Sequence, residues 1–233
     1  MAIILMFGCC SACTRKEEAK AMEFKDMLRE RILEVLDSWE AKDQYAIMFL
    51  IYPNESFEYG GYSNIPRFSM LYKCESDIGH NPAPALPFFI ASNKDEERWS
   101  ASFWDCDEEE AIIDYGRPNP MADALIRWYK DTGVQDIGIE DSDQMYDIFR
   151  RYIGKGPNGL AELLKLAAEI SAQLQDEGMI EAKFGKKIPI LLADLEFTWY
   201  MVKATREANP NGEADAYIEA CLRNRWVSRS QIQ

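Results

Sequence analysis

Eight consecutive apolar residues, Tyr45-Ala-Ile-Met-Phe-Leu-Ile-Tyr52, run without a charge and end at Pro53. A helix on a wet surface shows its apolar side chains with a period of about 3.6 residues. A strand with one solvated face shows them at every second residue. An unbroken run closed by a proline fits neither pattern and predicts a central strand covered on both faces. Such a strand constrains the rest of the chain, which must supply neighbouring strands and a layer of helices.

The flanking sequence supplies them. From Lys16 to Lys42, the residues Phe24, Leu28, Ile32, Val35, Leu36 and Trp39 recur at steps of three and four, which predicts a long amphipathic helix. After Asn54 and the Gly60-Gly61 turn, a second strand is expected near Phe68 to Lys73, and Phe88-Phe-Ile-Ala91 reads as a third. Asn119-Pro120 marks a helix start carrying Met121, Ala124, Leu125 and Trp128. Ser142 caps a helix with Met145, Ile148, Phe149 and Tyr152, and Leu160 to Leu174 form another that stops at Gly178. Lys187 to Ala193 reads as a strand that Pro189 restricts to an edge or a strand start. Helices from about Phe197 to Ala208 and Ala214 to Trp226 close the chain around Asn209-Pro210-Asn211-Gly212. The expected fold is α+β: a small mixed or antiparallel sheet of about four strands covered by about six helices. The expected division is a Cys-rich apolar tail over 1–15 and one domain over 16–233.

The chain has 233 residues, 47% of them apolar, enough to bury a sizeable core. Its 26 Lys and Arg face 40 Asp and Glu, a net charge of −14. That field repels nucleic acid and anionic lipid and favours a basic protein partner. The six cysteines are too sparse for a disulfide framework, which suggests a reducing, cytoplasmic setting. The run Ala2 to Phe7 is too short to span a bilayer. Ser11-Ala12 before Cys13 leaves a second option, a lipid anchor on an N-terminal cysteine. Cys10-Ser11-Ala12-Cys13 lacks the preceding βαβ unit of a redox site. No second cysteine pair completes a zinc site, and His80 is the only histidine.

The motifs that could carry chemistry are few. Gly154-Lys-Gly156-Pro-Asn-Gly159 matches G-x-G-x-x-G, but a helical pattern rather than a strand precedes it, so the glycines read as caps. No nucleophile elbow, zinc-protease or P-loop motif occurs, and with one histidine no catalytic residue, cofactor or metal site is assigned. Asp194 and Glu196 follow a strand, where carboxylates of α/β enzymes often sit, but a helix cap is the better-supported reading. The densest acidic cluster is Asp105, Asp107, Glu108, Glu109 and Glu110, beside Trp99, Phe103 and Trp104. Trp99, Trp104 and these five acids form the candidate partner-binding site: aromatic anchors with acids to steer a basic protein. The structural alternative puts the tryptophans in the core and the acids in the first turn of a helix. A second acidic run, Asp136, Glu140, Asp141, Asp143 and Asp147, would enlarge the same face if it folded beside the first.

Three further stretches carry a family resemblance: Glu177-Gly-Met-Ile, then Phe184-Gly-Lys-Lys-Ile-Pro-Ile-Leu-Leu-Ala-Asp194, then Asn209-Pro210. With Arg98-Trp99-Ser100 and Trp104, they resemble the bacterial domain-of-unknown-function 4303 family over roughly Glu23 to Ile218. The resemblance implies a bacterial origin, a fold, and a place among small proteins that accompany toxin–immunity loci. It implies no catalytic residues. The expected function is therefore a non-catalytic, immunity-type or accessory factor acting through an acidic face, with a carboxylate-based enzyme or a lipid-anchored envelope protein as alternatives.

Overall fold

The computed structural model describes residues 11–54, 58–78, 91–104, 109–116, 118–138, 146–147, 151, 153–194 and 196–233, with side chains from residue 24 onward. The apolar run lies in β1 (Gln44–Asn54), inside a four-stranded mixed sheet. β2 (Ile65–Cys74) pairs with it antiparallel and β3 (Glu110–Ile113) pairs antiparallel with β2. β4 (Ile190–Ala193) lies parallel to β1 on its other side, so the order is β3-β2-β1-β4.

β1 is covered on both faces, as its composition requires. Ile47, Phe49 and Ile51 join Phe68, Met70, Ile190 and Leu192 in one core layer. Ala46, Met48 and Leu50 join Leu71, Leu191 and Ala193 in the other. Over the first layer pack α1 (Ser11–Ser38), α3 (Pro120–Thr132), α4 (Asn158–Asp176) and the short α5 (Met179–Phe184). Over the second lie α2 (Lys94–Trp99), α7 (Asp215–Arg223) and the C-terminal Val227 and Ile232. α6 (Trp199–Ala208) stands beside β4 and gives Met201, Ala204 and Ala208 to one layer and Val202 to the other.

The α1 stripe is buried throughout, from Phe24 to Trp39. Full burial of side chains such as Leu28 and Ile32 stabilises by about 1.5–3 kcal/mol each. The expected cap at Asn119 forms, its side chain accepting from the amides of Met121 and Ala122 with Pro120 opening the helix. Gly178 takes the left-handed conformation (φ 70°) expected of a helix stop. The chain then resumes helix for six residues as α5, until Gly185 (φ 71°) ends it again.

Two expectations need correction, and two more fall largely outside the described residues. α1 starts at Ser11 and ends at Ser38 rather than spanning Lys16 to Lys42. The Ala-, Glu- and Lys-rich sequence ahead of Lys25 has high helix propensity throughout. The third strand is Glu110–Ile113: Phe88 to Ile90 lie outside the described residues, and Ala91 is irregular. Glu110 therefore opens a strand, not the first turn of a helix, because Ile112 and Ile113 fill the core beside β2. Of the helix expected after Ser142, the stripe Met145, Ile148, Phe149 and Tyr152 lies outside the described residues, and Tyr146, Asp147 and Arg151 are not helical.

The outer margin of β4 is closed by side chains. The Asn209 side chain accepts from the Ile190 amide (3.0 Å) and donates to the Ile190 carbonyl (2.8 Å). One turn earlier, the Thr205 hydroxyl accepts from the Leu192 amide (2.8 Å) and donates to the Leu192 carbonyl (3.0 Å). Gln175 donates to both the Ile188 carbonyl and Asn209, which fixes the Asn209 amide. Groups that an edge strand would leave open are thus paired inside the molecule.

Candidate functional site

The sequence singled out the stretch around Trp99 to Glu110, and the structure divides it into an inner and an outer part. Trp99 and Trp104 are 6% and 4% exposed, so they are core side chains and not surface anchors. Both rings pack edge-on to Tyr45, at 5.6 and 6.0 Å, and Trp99 also meets Tyr217. Large aromatics next to an apolar strand bury more surface there than at a wet interface. Asp105, Asp107 and Glu108 lie outside the described residues. Glu109 is partly buried, and Glu110 is exposed opposite Met70 of β2.

Arg98 ties this segment to the sheet. Its guanidinium makes a two-pronged ion pair with Glu75, at 2.5 and 3.0 Å, and lies 4.0 Å over the Tyr45 ring. Its carbonyl accepts from the Tyr45 hydroxyl (2.5 Å) and from the Trp104 indole (3.1 Å). Arg98 holds Glu75 below the ordinary carboxylate range by hydrogen bonding. Burial pushes the Tyr45 phenol well up; the nearby Arg98 opposes that shift, while the charges of Glu75, Asp77 and Glu97 add to it.

Those influences locate a patch that the sequence did not announce. The register pairs Gln44 with Cys74, which puts Asp43 beside Glu75 at the start of β1 and the end of β2. Asp43 accepts from the Ser76 amide and hydroxyl, and the amide contact keeps its carboxyl below the usual range. Asp77 accepts from the Cys74 amide (3.0 Å). Asp43, Glu75, Asp77 and Glu97 come from three separate stretches, so only the hairpin register could have revealed them as neighbours. Four residues back along β2, Glu110 adds a further carboxylate on the margin of the sheet.

A different acid stands at the far end of β4. Asp194 follows the strand directly, and burial raises its carboxyl from 3.8 to about 7. Its oxygens accept from the Glu196 amide (2.6 Å), the Thr198 hydroxyl (3.4 Å) and the Tyr200 hydroxyl (3.5 Å). Glu196 is exposed and accepts from the Tyr146 hydroxyl, so the two acids do not form an opposed pair. Burial also pushes the thiols of Cys74 and Cys221 up to about 12, which keeps both protonated and poorly nucleophilic. His80, Cys9 and Cys10 lie outside the described residues. Among the described residues no group of three His, Cys, Asp or Glu is placed to hold a metal ion, and no helix is long and apolar enough to cross a membrane.

The glycines of Gly154-Lys-Gly156-Pro-Asn-Gly159 have packing reasons. A Cβ on Gly159 would lie 2.6 Å from the Ile137 side chain and 2.9 Å from its carbonyl oxygen. Gly156 lies under the Tyr200 ring, and the Gly154 carbonyl accepts from the Trp199 indole (2.7 Å). Among the described residues no strand leads into the motif. No protein-family model, curated protein or solved structure matches the chain.

Proposed function

We propose that this chain is a non-catalytic binding protein that captures a basic partner through the acidic end of its sheet. One observation carries the reading: Glu75, Asp77 and Glu97, from separate stretches, all act on Tyr45, whose hydroxyl and ring hold Arg98 on a segment pinned by buried aromatics. A charged surface held rigid loses little entropy on binding, and its field speeds encounter with a cation. The net charge of −14 favours the same class of partner. Trp99 and Trp104 support the surface from beneath instead of contacting the partner. An immunity-type role in bacteria rests on the family resemblance of the Arg98-Trp99-Ser100 and C-terminal motifs. A carboxylate-based enzyme is the second reading, favoured by the near-neutral titration of Asp194.

The test compares two triple variants with the same change in net charge. One carries Glu97→Lys, Glu109→Lys and Glu110→Lys; the other carries Asp26→Lys, Glu30→Lys and Asp37→Lys on the exposed face of α1. Binding of a decalysine peptide, measured by calorimetry at low and moderate salt, should weaken about tenfold in the first and much less in the second. Equal losses would mean that net charge alone attracts the peptide, and the acidic-end reading would fail.

A further inference from the structure

We propose that the groove between the first turns of α4 and α6 binds a small aromatic carboxylate. The groove encloses about 340 Å³. That lies at the lower end of the range for small-molecule sites, about 300–1,000 Å³. Its walls are apolar: Leu160, Leu164 and Ala204 are all buried side chains. Trp199 and Tyr200 close one end with rings 5.8 Å apart and nearly perpendicular, at 81°. An inner corner of that kind accepts a flat ring, stacked on one face and edge-on to the other.

The corner is built in advance. Trp199 is fixed by its hydrogen bond to the Gly154 carbonyl. Tyr200 is backed by Gly156, where a Cβ would lie 3.4 Å from the phenol and 2.8 Å from Leu160. Its hydroxyl reaches Asp194 at 3.5 Å, and the residue lines the groove. The G-x-G-x-x-G stretch thus shapes this groove. Side chains locked before a ligand arrives spare the entropy of ordering them.

The charge on the rim decides what kind of molecule fits. Among the described residues lining the groove, Lys165 and Lys203 stand with one acid, Glu207, in a chain whose net charge is −14. Lys165 makes no ion pair among the described residues. Lys203 reaches Glu207 at only 3.9 Å, and a loose, exposed pair of this kind contributes little. The overall field repels anions at long range, so selectivity must come from ammonium contacts within the groove.

The experiment titrates the ¹⁵N-labelled full chain with naphthalene-2-carboxylate, and in parallel with the neutral 2-naphthalenemethanol and the cationic 2-naphthylmethylammonium. Amide shifts should centre on Gly156, Leu160, Tyr200 and Lys203, with the carboxylate binding at least about fivefold more tightly than the alcohol and the ammonium weakest. A Lys165→Gln/Lys203→Gln variant should bring the carboxylate down to the affinity of the alcohol. Ala161→Trp, on the exposed rim, should block all three probes without unfolding the chain. Equal affinities for the three probes, shifts centred elsewhere, or no saturable binding of the carboxylate would overturn the proposal. None of these outcomes depends on the acidic end of the sheet.

Discussion

Asp194 makes the folded chain sensitive to pH in an unusual direction. Most acids in folded proteins are held below their ordinary range, but burial raises this one to about 7. Between its ordinary 3.8 and that value, the folded state binds more protons at this site than the unfolded state does. Its contribution is therefore full at low pH and is lost as pH rises through about 7. Asp194→Asn keeps an acceptor for the Glu196 amide and removes the charge. Thermal melts should show the variant about 1–2 kcal/mol more stable than the parent at pH 8, with the gap closing by pH 4. A gap of equal size at both pH values would show that ionisation of Asp194 is not its cause. The place of this residue, just after a strand, was legible in the sequence. Its burial was not, because that depends on Thr198 and Tyr200 folding back over it. The G-x-G-x-x-G glycines read as part of a cap arrangement with Asn158 as N-cap, but α4 starts at Asn158 with Pro157 before it, and the Ile137 that presses on Gly159 comes from a distant stretch.

At the scale of elements, periodicity served wherever one face met water and the other the core. α1, α3 and α4 announced themselves by their stripes, and β1 by its lack of alternation. β3 was hidden because it opens with an exposed glutamate after an acidic run, and its register depends wholly on β2. α5 was hidden by its six-residue length, too short for a periodic signal. The use of α6 beside β4 was hidden too, since a polar residue at a helix end reads as a cap. Thr205→Val keeps the shape and leaves the Leu192 amide and carbonyl without their partner. Urea unfolding should show a loss of about 1–3 kcal/mol, which Thr205→Ser recovers in large part. Asn209→Ala strips three neighbours, Ile190, Gln175 and the Thr205 carbonyl, and should cost more. A neutral Thr205→Val would mean that the hydroxyl is not needed at that margin.

For the whole molecule, the excess of carboxylates works against compactness. Many of the described ion pairs lie on the surface, such as Lys25–Glu169 and Arg29–Glu177 joining α1 to the α4 region, and they offset only part of the repulsion. Raising salt from about 20 to about 300 mM shortens the screening length from roughly 20 to roughly 6 Å. Long-range repulsion should fade while the close pairs persist, and the melting temperature should rise by a few degrees; a fall would show that the pairs outweigh the repulsion. The overall charge was evident from composition, whereas its concentration beside Arg98 required the hairpin register. The closure of β4 also sets what the chain can tolerate as its sequence drifts. Asn209 caps α6 four residues after Thr205, about 6.0 Å further along the axis. The groups they satisfy on Ile190 and Leu192 are two strand residues apart, about 6.6 Å. Helix and strand work here as the two scales of a vernier, in step over this one interval. An insertion before Thr198 disturbs the contacts around Asp194 but keeps Thr205 and Asn209 in step, whereas one between Thr205 and Asn209 swings the asparagine about 100° away from the strand. Changes in length between Thr205 and Asn209 are thus closed to this chain, because they would expose a sheet margin to any passing strand.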